Sequence, residues 1–202
     1  MVKCKKFISM GTVAEYALED DEININNKPS PIDYYGAAKA STHLFVEIMA
    51  KRMGIQFNWI ILSSTYGERR TDNNIISYTI KSLINNNTPQ YGNLNKLWDF
   101  IYVGDAVRAI RLIGEKGRSN ETYTVGSGER HTLRETVENI RNLINCDAKL
   151  QGFVDEKCLD TRSSCVNIDK LVRDTGFEAK VSFDQGIRKT IDWFINKSNL
   201  KG

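Results

Sequence analysis

The chain has no CxxC pair. Its four cysteines, Cys4, Cys146, Cys158 and Cys165, are expected to be free thiols in a reducing cytoplasm, with no metal site. Long apolar runs are missing too. None approaches the length of a membrane span, and the basic start, Met1 to Phe7, leads into no signal-type apolar stretch. Neither charge dominates. The net charge is +3, with Lys and Arg spread along the chain, which argues against a dedicated nucleic-acid binder, although two or three local arginines could hold a phosphate. Neither GxGxxG nor GxxGxxG occurs among the 14 glycines, so the usual opening of a dinucleotide-binding sheet is not in these residues.

What is present suffices for a core: 41% hydrophobic and 26% charged residues over 202 positions, enough for one large domain or two small ones. Lys6 to Ser9 reads as the end of a strand, Leu18 to Pro31 as a polar loop, and Gly36 to Met53 as a helix stopped by Gly54. On that helix Leu44, Phe45, Ile48 and Met49 cover a wide arc, so it is either deeply buried or shared with a partner subunit. Ile55 to Leu62 is a nearly unbroken apolar run, the pattern of a strand buried in a parallel sheet. Ser63 to Asn74 reads as a loop, Ile75 to Ile84 as a helix, and Asp99 to Val103 as a short strand. Asp105 is expected to cap a helix over Ala106 to Ile113. Glu121 to Val125 is a further strand. The spacings Thr132/Glu135 and Ser182/Gln185 are capping boxes for the last two long helices, the second presenting Ile187, Ile191 and Phe194 on one face. Strands alternating with helices predict an α/β fold with a parallel sheet.

Three segments carry chemistry. In Tyr35-Gly36-Ala37-Ala38-Lys39 the tyrosine and lysine are one helical turn apart on one face. An ammonium beside a phenol favours the phenolate, which can then exchange a proton with a hydroxyl or carbonyl oxygen near neutral pH. The spacing alone is weak. Eight tyrosines and sixteen lysines in this length yield about 0.6 such pairs by chance, and an ordinary helix start with a solvated lysine is the bland alternative. Ile8 to Tyr16 is a strand end followed by a hydroxyl-rich turn, placed where open α/β sheets bind ligands; a turn hydroxyl that only satisfies local backbone is its bland counterpart. Trp98 to Val107 is a strand, a tight connection and a helix.

In order, the Ser/Thr turn, "PSPIDYYGAAKA", "SSTYGE", "WDFIYVGDAVRAI", "ETYTVGSG" and "NIDKLVRDTGFEAKVSFDQGIRKTIDWF" resemble the extended short-chain dehydrogenase/reductases of the NAD-dependent nucleotide-sugar epimerase/dehydratase branch. The resemblance covers essentially the whole chain. It implies the C-terminal part of a doubly wound, Rossmann-type parallel sheet plus a small α/β substrate-binding domain. Residues 1–66 would then belong to the NAD(P)-binding domain and 67–202 mainly to the nucleotide-sugar domain, with 99–126 returning to the Rossmann sheet. It further implies NAD or NADP as cofactor, a nucleotide-sugar substrate, and a homodimer through the 36–53 helix.

The resemblance also implies roles. Tyr35 resembles the acid/base, and Lys39 its helper and ribose ligand. Relatives written GSQAEYG place the catalytic hydroxyl four residues before the turn tyrosine, which maps onto Thr12 ahead of Tyr16. A rival register puts Met10 there, and Ser9 is the second candidate and a cofactor contact. Ser64 and Arg162 resemble substrate-binding residues, Arg162 for the diphosphate; the bland reading of Arg162 is a surface arginine. The departures are specific. The front half of the cofactor domain has no counterpart, Trp98 stands where many relatives have arginine, and Ser64 stands where many have asparagine. Val13 and Ala14 follow Thr12 where the dehydratases carry Asp-Glu, which argues against 4,6-dehydration and leaves epimerisation or 4-keto reduction at sugar C4. A non-catalytic fragment that binds nucleotide or a partner subunit is the alternative from another class. A redox-sensing regulator is a third, with little use for an intact Thr12, Tyr35 and Lys39.

Overall fold

A computed structural model describes residues 4–16, 22–23, 25–26, 28–144, 147, 149–152 and 164–199. Strand β1 (Lys6–Met10) leads through a single 3-10 turn, Val13–Glu15, to the two-residue strand β2 (Glu22–Ile23) and the helix α1 (Tyr34–Met53). There follow β3 (Gln56–Leu62), β4 (Ser64–Tyr66), α2 (Ile75–Ile84), β5 (Gln90–Tyr91), β6 (Leu97–Trp98), β7 (Phe100–Tyr102) and α3 (Val103–Lys116). The remaining elements are β8 (Glu121–Val125), β9 (His131–Thr132), α4 (Leu133–Ile144), β10 (Gln151–Gly152), β11 (Cys165–Val166), α5 (Asp169–Thr175) and α6 (Phe183–Asn199).

The main sheet is parallel, in the order β1-β3-β8. Its central strand β3 explains its own composition. Phe57, Trp59 and Ile61 pack toward one face, with Ala50 and Val46 of α1. Ile60 packs toward the other, with Ala106, Ala109 and Ile113 of α3 and Leu171 of α5. A strand covered on both faces has no place for alternating polar residues, and each isoleucine enclosed this way contributes about 1.5–3 kcal/mol. The one buried polar residue of β3 facing this way, Asn58, is held by the Arg118 and Glu121 carbonyls at 2.6 and 3.0 Å.

A second core lies beside the sheet. Helices α2, α4 and α6 pack Ile76, Ile80, Leu83, Ile140, Ile187, Ile191 and Phe194 against Tyr66 and Phe100 of the parallel pair β4-β7. Both capping boxes form. Thr132 and Glu135 exchange bonds of 2.7 and 3.0 Å, and Ser182 and Gln185 bonds of 3.4 Å. Helix α1 starts two residues ahead of the expected Gly36, because Asp33 Oδ1 caps it by accepting the Gly36 N–H at 2.6 Å. It ends at Gly54, whose left-handed backbone (φ 64°) suits glycine.

Three expectations are corrected. Asp105 does not cap α3. The helix begins at Val103, and Asp105 sits buried in its first turn, accepting the Lys180 and Val181 N–H groups at 3.0 Å and pairing with Arg108 at 2.7 Å. The loop read over Ser63 to Asn74 contains β4, and the described part of the Leu18 to Pro31 loop contains β2, which pairs with β11. Strands of two or three residues depend on distant partners and leave no periodicity to read. Cys4 and Cys165 are free thiols. Among the described residues no helix is long and apolar enough to cross a membrane.

Candidate active site

The site is built where β1 ends. Gly11 continues the sheet, donating to the Ile60 carbonyl at 2.7 Å, and the chain then turns at Thr12, extended (φ −150°, ψ 151°) and capping the 3-10 turn. The Thr12 hydroxyl accepts the Ala14 N–H at 3.3 Å, and its own N–H donates to Glu15 Oε1 at 2.8 Å. Strand alternation separates the neighbouring side chains. Ile8 and Met10 pack against the cluster on the α3 face, so Ser9 points to the α1 face.

Helix α1 comes down on this turn. A Cβ at Gly36 would overlap the Ala14 carbonyl oxygen, so the helix start and the turn approach as closely as a glycine permits. One turn on, Lys39 is half-buried and its ammonium donates to the Met10 carbonyl at 2.9 Å. Tyr35 lies in the first turn of the helix and is 58% exposed. Tyr16, by contrast, is 7% exposed, and burial together with the Glu15 carboxylate pushes its phenol up to about 12, out of reach of proton exchange near neutrality. The fold thus brings Thr12, Ser9, Lys39 and the helix turn bearing Tyr35 to one corner.

A group of three residues holds that corner from beneath, and the sequence reading passed over it. Glu15 is fully buried, and the Trp59 indole N–H donates to its two oxygens at 3.2 and 3.1 Å. His43 stacks flat on Trp59 (4.3 Å between centroids, 2° between planes), with Nδ1 3.7 Å from Glu15 Oε2. Two spacings carry the signal: Thr12-x-x-Glu15 is a capping box, and His43 follows Lys39 by one helical turn.

Ser64 lies outside that cluster, in β4, and accepts the Trp98 indole N–H at 2.6 Å. Two of the positions read from the sequence as departures, Ser64 and Trp98, therefore touch each other. They line a cavity of about 250 Å³ with Thr65, Arg70, Ile75 and Phe100. A larger cavity of about 820 Å³, bordered by Glu22, Glu121, Asn167 and Lys170, includes none of the residues singled out above. Arg162 lies outside the described residues.

With this geometry the chain is similar to known enzymes. It is 28% identical over 184 residues to dTDP-glucose 4,6-dehydratase of Xanthomonas campestris, covering 86% of this chain and 52% of that one. The chain spans about half the length of the curated relatives it matches. The solved UDP-glucose 4-epimerase of Thermotoga maritima with UDP-glucose superposes with a TM-score of 0.85 at 25% identity, over 96% of this chain and 64% of that one. The dTDP-glucose 4,6-dehydratase of Bacillus anthracis in complex with NAD shares the fold, with a TM-score of 0.85 at 23% identity over 96% and 63%. Residues 1–126 match the family model described as NAD dependent epimerase/dehydratase, and the chain belongs to that family.

Proposed function

We propose that this chain carries the acid/base and sugar-binding residues of an NAD(P)-dependent nucleotide-sugar epimerase or 4-keto reductase acting at sugar C4. The observation that carries the reading is the seating of α1 on the turn after β1. Gly36 lies against Ala14, and Lys39 is anchored on Met10, so the helix start that bears Tyr35 meets the turn that bears Thr12. Tyr35 exchanges the proton of the reacting sugar oxygen, and Thr12 hydrogen-bonds that oxygen. Met10 packs into the opposite face of the sheet, which favours Thr12 over the rival register.

The residues present suit the nicotinamide-ribose end of NAD or NADP. The Lys39 ammonium gives one of its three hydrogens to Met10 and keeps two for ribose hydroxyls. Tyr35 and Ser9 add hydroxyls beside it. When bound, the nicotinamide supplies the hydride acceptor and donor; the residues of this chain manage the proton and the orientation. The sequence holds no glycine-rich turn for the pyrophosphate, so the fit concerns this end alone.

Dehydration is disfavoured although the curated relatives named above are dehydratases. Val13 and Ala14 offer no carboxylate, and the turn's one acid, Glu15, is fully buried on Thr12 and Trp59. We assign 1–66 to the nicotinamide-binding part and 67–202 mainly to the sugar-nucleotide part, with 99–126 returning to the first sheet and Ser64 and Arg162 as substrate contacts. A homodimer through α1 completes the proposal, supported by the exposure of Leu44, Phe45, Ile48 and Met53.

A second reading, a non-catalytic unit that binds nucleotide or a partner subunit, is favoured by the outer edge of β1, which pairs with no strand among the described residues. The experiment incubates the 202-residue chain with a nucleotide sugar and catalytic NAD, and separately with a 4-keto sugar and stoichiometric NADPH. Tyr35→Phe is expected to lower turnover about 10²–10⁴-fold, and unchanged turnover would sink the assignment. Turnover in either incubation removes the second reading, whereas NAD or NADP binding seen by calorimetry without turnover supports it.

A further inference from the structure

The small cavity beside Ser64 has an unusual balance of groups. The one cation among its described lining residues already has partners. Arg70 donates to both carboxylate oxygens of Asp72, Nε to Oδ1 at 2.9 Å and Nη2 to Oδ2 at 3.0 Å, and to the Thr65 carbonyl through Nη1. Asn74 is committed as well, capping α2 through Ser77 at 3.1 Å and donating to Asp72 at 2.8 Å. Trp98 stacks beside Phe100 at 6.4 Å and 28°, and Ile75 and Leu133 complete an apolar wall. Ser64 accepts the Trp98 N–H and keeps its own hydroxyl proton to give.

A phosphate placed there would find only Arg70 as a cation among the described lining residues, and would have to compete with Asp72 and the Thr65 carbonyl for it. An uncharged ring meets the opposite conditions. It can lie on an indole face and direct one oxygen at one hydroxyl. Size agrees: an apolar cavity of about 150 Å³ already holds benzene, so about 250 Å³ seats one substituted ring but not a whole nucleoside diphosphate sugar.

We propose that this cavity is a ring subsite, in which Trp98 and Ser64 select an uncharged, oxygen-bearing ring of the substrate and exclude its phosphates. The proposal rests on the nucleotide-sugar reading above. A pyrimidine base and a pyranose share this chemistry, and the test separates them.

The full chain and its Trp98→Phe, Trp98→Arg and Ser64→Ala variants are titrated with uridine, methyl α-D-glucopyranoside, inorganic pyrophosphate and UDP-glucose. Binding is read by calorimetry, with tryptophan fluorescence on the wild type and circular dichroism to verify folding. At least one ring probe is expected to saturate the wild type, the tighter one naming the ring, while pyrophosphate does not compete. Trp98→Arg should weaken that probe and UDP-glucose about tenfold or more through loss of the aromatic stack. Trp98→Phe, which keeps a ring, should recover most of the affinity, and Ser64→Ala should fall between. Should Trp98→Arg fail to fold, Ser64→Ala and Trp98→Phe still decide, since unchanged ring affinity in Ser64→Ala overturns the assignment. So does pyrophosphate binding as tightly as the rings, or failure of both rings to bind. UDP-glucose bound equally by wild type and Trp98→Arg overturns the subsite and leaves the nucleotide-sugar reading standing. Ring binding without UDP-glucose binding overturns the nucleotide-sugar reading instead.

Discussion

Glu15 reaches back along its 3-10 turn to accept the Thr12 amide hydrogen at 2.8 Å, and the same carboxylate takes the Trp59 indole N–H from the middle of the sheet. The hydroxyl proposed to meet the substrate is therefore positioned by a buried acid three residues away. Glu15→Ala would leave two donors without acceptors, at about 1–3 kcal/mol each, and is expected to lower stability by about 2–6 kcal/mol in total. Glu15→Gln keeps an oxygen for Thr12 and offers an N–H toward His43 Nδ1, which has no hydrogen-bond partner among the described residues. It should lose less than half as much. Urea unfolding measures both, and a Glu15→Ala midpoint equal to the wild type would show that the carboxylate does not hold the turn.

Gly36→Ala tests the seating of α1. In an exposed helix interior this change would add about 1 kcal/mol of helix propensity. Here the new methyl meets the Ala14 carbonyl, a backbone atom that cannot rotate aside. Overpacking of this kind costs about 1–3 kcal/mol, so the expected sign is destabilisation, with the Tyr35 turn moved away from Thr12. A Gly36→Ala variant more stable than wild type in thermal unfolding would contradict the close approach.

Much of the fold was legible because its signals are local. The bounds of α2 follow from its apolar pattern, the end of β8 from Gly126 and Gly128, and the ends of α1, α4 and α6 from Gly54 and two capping boxes. What escaped depends on partners far along the chain. Asp105 looked like a cap because it opens an apolar helix pattern, yet its Oδ2 serves backbone groups 75 and 76 positions away. The Ser64–Trp98 bond spans 34 positions and the Glu15–Trp59 contact 44. Tyr35 and Lys39 were readable as a helical pair, whereas the burial of Glu15 beneath them was not.

The apolar arc of α1 remains open to solvent: Phe45 and Met53 are 65% exposed, Leu44 57%, Ile48 56% and Met49 44%. A contiguous patch of this kind marks an interaction surface. The proposed homodimer predicts concentration-dependent sedimentation of the 202-residue chain, shifted to monomer by the double change Phe45→Lys and Ile48→Lys. Because both side chains are exposed in one copy, the variant monomer should hold its own stability within about 0.5 kcal/mol. A wild type that sediments as a monomer at high concentration would remove the dimer.

Alkaline pH should unfold the chain steeply, and the direction follows from four enclosed phenols, one of them Tyr66, which burial also holds above the usual range. Burial pushes Tyr16, Tyr91 and Tyr123 up to about 12, Tyr16 with help from Glu15 and Tyr123 with help from Asp174. Each is under a tenth exposed. In the unfolded chain a tyrosine loses its proton near pH 10. Between that value and about 12 the unfolded state has released a proton that the folded state still holds, so stability falls as pH rises and levels off above the folded value. The limiting slope is about 1.4 kcal/mol per pH unit for each group, or about 5–6 kcal/mol per unit for four. Against a typical total of about 5–15 kcal/mol, this is enough for cooperative unfolding inside the window. Phenolate absorbance and loss of far-ultraviolet dichroism should then rise together. Tyr91→Phe gives up a 2.7 Å bond to Thr79, costing about 1 kcal/mol at neutral pH, but should flatten the alkaline decline by about a quarter. A decline as steep as that of the wild type would mean that the Tyr91 phenol is not linked to folding.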